Sequence, residues 1–220
     1  MEDRSATARP VGRPRRFGEA TERKLLLDAG MKVMRRNGFA EASLADVLEV
    51  AGVSTRAFYR HFATKDALLI AMFDRDSDIV AARLRDAVAA APSARSALEA
   101  WLDEYLDLFS NPRRVARVRL MSSEAAGRAV GYRDAMQRML DLHAEPLAQA
   151  LGRGEHDGSL TSSDPYLDAR SVLAIVEIVG ERVLARVWTL DDARAHVRKF
   201  CWPALDLQEL LPHVPPAPVS

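Results

Sequence analysis

Between Ser43 and Lys65 the sequence sets hydroxyls, cations and a tyrosine at spacings that let them act on one target. Ser54 is placed to cap a short helix that begins at Thr55 and runs to about Phe62. On that helix Ala57, Phe58 and Phe62 fall where they can dock into a core, while Thr55, Arg56, Tyr59, Arg60 and His61 are left outside. A solvated helix rarely gathers a threonine, a tyrosine and three potential cations unless something polar and anionic lies opposite. Phosphate oxygens and base edges have that chemistry. On spacing alone, an ordinary basic surface on a capped helical pair, as many enzymes carry, is the alternative.

The preceding residues say how such a helix is held. Ser43 caps a helix whose apolar positions Leu44, Val47, Leu48 and Ala51 recur at helical spacing. Asp46, three residues after the cap, can satisfy a free amide and favours the positive end of the helix. Gly52 ends it, because glycine takes the left-handed cap conformation without a clash, and Val53 seats the turn. Two short helices joined by three or four residues with a glycine between them describe a helix-turn-helix.

The run AGVSTRAFYRHFATKDALL (51–69) resembles the DNA-binding segment of TetR-type transcriptional regulators, and the resemblance covers about residues 20–70. The matching positions are Ser43, Ala51-Gly52-Val53-Ser54, Phe58-Tyr59-Arg60-His61-Phe62 and Lys65. Leu48 and Gly30 stand where that family usually carries alanine. Leu48 is expected to loosen or re-angle the helical pair, and Gly30 to cost about 1 kcal/mol of helix propensity. The resemblance implies that Ser43, Tyr59, Lys65 and the amide end of the Ser54 helix contact phosphates, that Thr55 and Arg56 approach base edges, and that His61 serves either purpose.

Composition sets wider bounds. The chain has 220 residues, 48% of them hydrophobic, and no apolar run near the ~18 residues of a membrane span. No signal peptide opens it, and one cysteine, Cys201, allows no internal disulfide, so a reducing cytoplasm is expected. Cys201 lies between Phe200 and Trp202, which reads as a buried, inert thiol rather than a redox sensor. The formal net charge is zero, yet through Lys65 there are 13 basic against 8 acidic residues, a balance of +5, and the remainder carries −5. A basic head on an acidic body is expected when only the head meets nucleic acid.

Four segments follow: an arm (1–18), the helix-turn-helix domain (19–65), a helical body (66–208) and a tail (209–220). The arm is short of apolar residues and reads as mobile; its Arg13, Arg15 and Arg16, in an extended cationic stretch, either lie in a narrow minor groove or merely solubilise. The Pro-rich tail reads as disordered. Thr21 to about Asn37 forms the first helix. Thr64 caps a long one that stops before Pro92 and joins head to body. In the body, helices are predicted over Ser96–Phe109, Val115–Glu124, Tyr132–Leu151 (ended by Gly152 and Gly154), Pro165–Trp188 and Asp191–Trp202. No strand pattern occurs, so the fold is all-α.

Pro165–Trp188 is apolar on more than one face and needs more than one partner. Paired with the last helix across a two-fold axis it would make a homodimer through Ile175, Val179, Gly180, Val183, Val197 and Phe200, with Gly180 serving either close approach between subunits or internal packing. Trp101, Tyr105, Phe109, Met121, Met136, Met139 and His143 either fill the core or line a pocket; the resemblance implies a small-molecule effector site there, suited by these residues to a mainly apolar compound. Five histidines show no metal-binding pairing, and no phosphate loop or nucleophile turn is present, so neither cofactor, metal nor catalysis is expected. The combined expectation is a dimeric regulator of a double-stranded DNA operator, most often a repressor in such families. An all-α ligand-binding or scaffolding protein whose helix-turn-helix no longer binds DNA is the alternative.

Overall fold

Helix caps set the element boundaries. The computed structural model describes residues 18–207; residues 1–17, with Arg13, Arg15 and Arg16, and the tail 209–220 lie outside the described residues. These contain ten helices and no strand: α1 (Glu19–Asn37), α2 (Leu44–Ala51), α3 (Thr55–His61), α4 (Lys65–Ala90), α5 (Ala94–Ser110), α6 (Pro112–Met121), α7 (Glu124–Gly127), α8 (Tyr132–Asp157), α9 (Pro165–Leu184) and α10 (Leu190–Ala204). Ser43 and Asp46 form a reciprocal capping box, Ser54 Oγ accepts from the Ala57 amide at 3.2 Å, and Thr64 Oγ1 accepts from the Ala67 amide at 3.0 Å. Each such cap stabilises its helix by about 0.5–2 kcal/mol. Gly52 sits at φ 64°, in the left-handed region that its position in the turn requires. None of the described helices is long and apolar enough to cross a membrane.

The head is α1–α3 with the first turns of α4. Its core is Leu26, Leu27, Val33, Met34, Val47, Phe58, Phe62, Leu68, Leu69 and Met72, and the same apolar cluster continues into Leu120, Met121, Ala126 and Ala135 of the body. Leu48, expected to loosen the helical pair, packs half-buried against this cluster. Gly30 is where α1 crosses α4: a Cβ there would lie 2.8 Å from Met72 Sδ and 3.0 Å from Leu68 Cδ2. Close packing at that crossing offsets the helix propensity that glycine lacks.

In the body, α5 is enclosed by α4, α8, α9 and α10, and a second cluster forms around Trp101, Leu102, Leu106, Leu147, Leu151, Leu173, Val176 and Trp202. Three boundaries differ from the sequence expectation. Pro112 occupies the first turn of α6, where its missing N–H is no loss, and the segment then breaks at Ser122. Helix α8 runs on through Gly152 and Gly154 to Asp157, capped by Gly158 at φ 74°. Gly154 is inside the helix because a Cβ there would meet Leu160 Cγ at 2.6 Å and Ala94 Cβ at 2.7 Å. Finally, α9 stops at Leu184 instead of reaching Trp188.

Gly180 serves internal packing: a Cβ there would fall 2.5–2.6 Å from three carbons of the Phe109 ring. Gly180→Ala is therefore expected to destabilise the protein by about 1–3 kcal/mol, read from the urea unfolding midpoint. An unchanged midpoint would mean that the Phe109 ring has room to turn aside.

Candidate nucleic-acid interface and interior cavity

Helix α3 buries Ala57 and Phe58 and leaves Thr55, Arg56, Tyr59 and Arg60 exposed, as their spacing requires. Tyr59 is 58% exposed, with its ring edge-on to Phe58 at 5.3 Å. Ser43 and Ser54 are exposed at the amide ends of α2 and α3. Thus Ser43, Ser54, Thr55, Arg56 and Tyr59 share the open surface of the helix-turn-helix, a set able to meet phosphates and base edges.

Two residues expected on that surface have other partners. Lys65 Nζ donates to the carbonyls of Phe39 (2.9 Å), Ala40 (3.2 Å) and Ala42 (3.0 Å), and lies 4.7 Å from the centroid of the Phe39 ring. All three ammonium protons are engaged, so Lys65 braces the α1–α2 connection. His61 turns inward, its Nε2 3.3 Å from Glu22 Oε2, while Arg60 reaches the same carboxylate oxygen at 2.5 Å. The Arg60 hydrogen bond, seconded by His61, holds the Glu22 carboxyl below its ordinary pKa. Glu22 on α1 thus anchors the last turn of α3. Sequence reading missed it, for the pair is 38 residues apart and no local spacing rule connects them.

The body holds a cavity of about 690 Å³, open on one side to solvent and within the range of small-molecule sites. Tyr105, Phe109, Met121, Met136, Met139 and His143 all line it, together with α4 residues Phe73, Asp76, Ser77, Ile79, Val80 and Arg83. Trp101 does not: it is fully buried behind the wall, stacked on Tyr105 at 5.1 Å and donating from Nε1 to the His143 carbonyl. The wall is also more polar than expected. Arg113, Arg114, Arg117 and Arg119 come from α6, and Glu177 and Glu181 from α9.

Two hydrogen bonds, with a polar contact between them, cross the wall. His143 Nε2 donates to the Ser77 carbonyl at 3.1 Å, which makes Nδ1 an acceptor, and Nδ1 lies 3.4 Å from the Tyr105 hydroxyl. That hydroxyl's one proton goes to Glu177, so its oxygen meets Nδ1 as a close polar contact and not as a hydrogen bond. One run of polar atoms therefore joins α4, α8, α5 and α9. Burial lowers the His143 pKa to about 4, the Ser77 carbonyl only partly opposing it, so the ring is neutral at pH 7. Burial also raises the Glu177 carboxyl above its ordinary value, against the Tyr105 hydrogen bond.

The faces of α9 and α10 need correction. Val179, Gly180, Val183 and Val197 are buried within the single chain and Ile175 is half-buried; of the six residues expected at a subunit interface only Phe200, 55% exposed, faces outward. The outer face of α9 instead presents Leu167 (59% exposed), Ala174 and Ile178 (65% exposed). The apolar excess of this helix was legible, but its inward side is spent on α5 and α8.

Residues 26–72 match the family model for bacterial regulatory proteins of the tetR family. An uncharacterised HTH-type transcriptional regulator of Haemophilus influenzae is 25% identical over 166 residues, covering 76% of this chain and 78% of the relative. Escherichia coli NemR, in its reduced form, is 26% identical, with a TM-score of 0.67 over 81% of this chain and 96% of the other. The Bacillus subtilis transcriptional regulator FadR, solved with stearoyl-CoA, shares the fold at 17% identity and TM-score 0.64, over 84% of this chain and 99% of the other.

Two outcomes follow from this geometry. Lys65→Ala should destabilise the protein by about 1.5–3 kcal/mol while leaving the salt dependence of DNA binding as steep as before; a slope shallower by about one unit would show that the ammonium leaves its carbonyls for a phosphate. His143 titrates near pH 6.5 when unfolded and near 4 when folded, so the unfolded chain binds the extra proton first and stability falls as pH drops from 6.5 to 4. The loss reaches about 3 kcal/mol at pH 4. His143→Gln should remove that component, visible as a shallower fall of the urea midpoint over the same interval; parallel profiles would contradict the buried neutral ring.

Proposed function

We propose that the chain, whose residues 26–72 match the family model for bacterial regulatory proteins of the tetR family, is a member of that family and a homodimeric repressor released from its operator by a small molecule with an apolar body. The observation that carries this reading is the course of α4. It starts at Lys65, four residues after α3 ends, and without a break supplies Phe73, Asp76, Ser77, Ile79, Val80 and Arg83 to the cavity wall. Whatever fills the cavity presses on a rod whose other end holds the recognition helix.

Within this proposal Ser43, Ser54 and Tyr59 position the protein on phosphates, and Thr55 and Arg56 read base edges, as their exposure allows. Arg13, Arg15 and Arg16 are candidates for the adjacent minor groove. A single helix-turn-helix makes few base contacts, whereas two on a symmetric dimer read half-sites about 34–36 Å apart or a multiple of it. The exposed Leu167, Ala174, Ile178 and Phe200 supply the apolar surface for such pairing. The effector acts only through its different affinities for the two dimer geometries, so operator DNA must weaken the effector by the same factor. FadR of Bacillus subtilis, solved with stearoyl-CoA, is a precedent for a ligand with a long acyl chain in this fold.

The test selects bound fragments from random DNA and then measures anisotropy with the selected duplex. Arg56→Ala should relax preference at one base position, at a cost of about 1–3 kcal/mol; an unchanged ranking of site variants would remove Arg56 from base reading. Ile178→Asp should give folded monomers by light scattering, because the residue lies outside the core, with operator affinity lost. An unmutated protein that is monomeric at micromolar concentration would refute the dimer.

A further inference from the structure

Most acidic groups around the cavity already have cations. Asp76 Oδ1 takes Arg117 at 3.3 Å, Glu104 takes Arg114 at 2.8 Å and Arg83 at 3.8 Å, and Asp107 takes Arg114 at 3.0 Å. Arg119 donates to the Leu184 carbonyl. Of the arginines in the lining, Arg83, Arg114, Arg117 and Arg119 are thereby engaged with protein partners, and Arg113 stands exposed with no side-chain partner among the described residues. Among the acidic groups Glu177 is the exception. It lies well inside the wall, accepts from the Tyr105 hydroxyl, and has no cationic partner among the described residues. One turn further along α9, Glu181 stands exposed at the mouth of the cavity with no cationic partner among the described residues, while Glu177 is the one withdrawn from water. Two like charges at i and i+4 repel each other, and a carboxylate removed from water without a counter-charge is costly.

A second observation is independent of these two. Asp76 Oδ2, on α4, is buried and makes no hydrogen bond, and neither does Nε of its partner Arg117. The walls thus hold unspent acceptor capacity on both α4 and α9. Between them stand Tyr105 and Phe109, whose faces attract cations, and the polarisable Met121, Met136 and Met139.

Taking the cavity as the effector site, we infer that it selects an organic cation: a molecule with an apolar body and one protonated or quaternary nitrogen, seated with the nitrogen against Glu177 and beside the Tyr105 ring. The cation neutralises the Glu177–Glu181 pair, and the apolar body fills the space between Phe109 and the three methionines. Burial raises the Glu177 carboxyl's pKa, consistent with a group that lacks its counter-charge. Tyr105, which donates to Glu177, also abuts His143, whose Nε2 donates to the Ser77 carbonyl of α4, so the site that holds the nitrogen borders the rod leading to the head.

The experiment is calorimetric titration of the full-length protein with three probes of one chain length: decyltrimethylammonium, 1-decanol and decanoate. The ammonium compound should bind at least about ten-fold more tightly than the alcohol, and decanoate more weakly than either. Glu177→Gln should bring the ammonium affinity down to that of the alcohol. Should that variant not fold, the ranking of the three probes on the unmutated protein decides alone. Decanoate binding as well as the ammonium compound, equal affinities for all three, or no binding by any would each overturn the inference. A parallel operator-release assay separates it from the reading it rests on. If the ammonium compound binds with the expected preference but leaves DNA affinity unchanged, the cavity chemistry stands and its effector role falls. If decanol or decanoate releases the operator while the ammonium compound does not bind, the effector role stands and the cation inference fails.

Discussion

Helix α4 is buried at both ends by different cores, and this double burial is the constraint on which the rest of the structure depends. Leu68, Leu69, Met72 and Phe73 belong to the apolar cluster of the head, and Leu84 and Val88 to that of the body. A 26-residue α-helix is about 39 Å long and does not bend without cause, so displacement at one end is felt at the other. The stretch that faces the cavity runs from Phe73 to Arg83, overlapping the head cluster at Phe73 and reaching towards the body cluster. The helix is thus held firmly where it meets each core and is least filled in between.

The head is not an independent unit resting on that helix. Leu120, Met121, Ala126 and Ala135 of α6–α8 close its core from the body side. Met121 also lines the cavity, so one residue borders both the head's apolar cluster and the space a ligand would occupy. Inside the head, Glu22 fastens α3 to α1 through Arg60 and His61, while Lys65 fastens α4 to the carbonyls before α2. The recognition helix is held by charged braces on the sides that face the protein, which leaves Thr55, Arg56 and Tyr59 presented on a rigid support.

The polar chain from Ser77 to Glu177 has a different character from the apolar packing around it. Apolar contacts tolerate small shifts, but a hydrogen bond weakens steeply once its geometry is lost. The two hydrogen bonds, from α8 to α4 and from α5 to α9, therefore favour one placement within each pair of helices, and the Tyr105–His143 contact sets the two pairs side by side. That this run of polar atoms passes through a cavity wall instead of the solid core makes it accessible to a ligand.

What the sequence by itself determined is local. Ser43, Asp46, Gly52, Ser54 and Thr64 define the ends of α2, α3 and α4 because a cap is satisfied two or three residues away. The exposed face of α3 follows from its 3.6-residue period, and six of the seven residues chosen for a pocket do line one, because the apolar stripes of α5, α6 and α8 converge. Tertiary structure decided what periodicity leaves open. A helix apolar all round does not say which side meets its own chain, so Val179 and Val197 went to the core and Ile178 to the surface. Trp101, on the same helix as Tyr105, went behind the wall because its indole found the His143 carbonyl. The charged groups were least legible of all. Lys65, His61, Glu22 and Glu177 found partners or lost them across 23 to 72 residues of sequence, and a long-range electrostatic pairing depends on where the whole chain folds, not on the spacing of its neighbours.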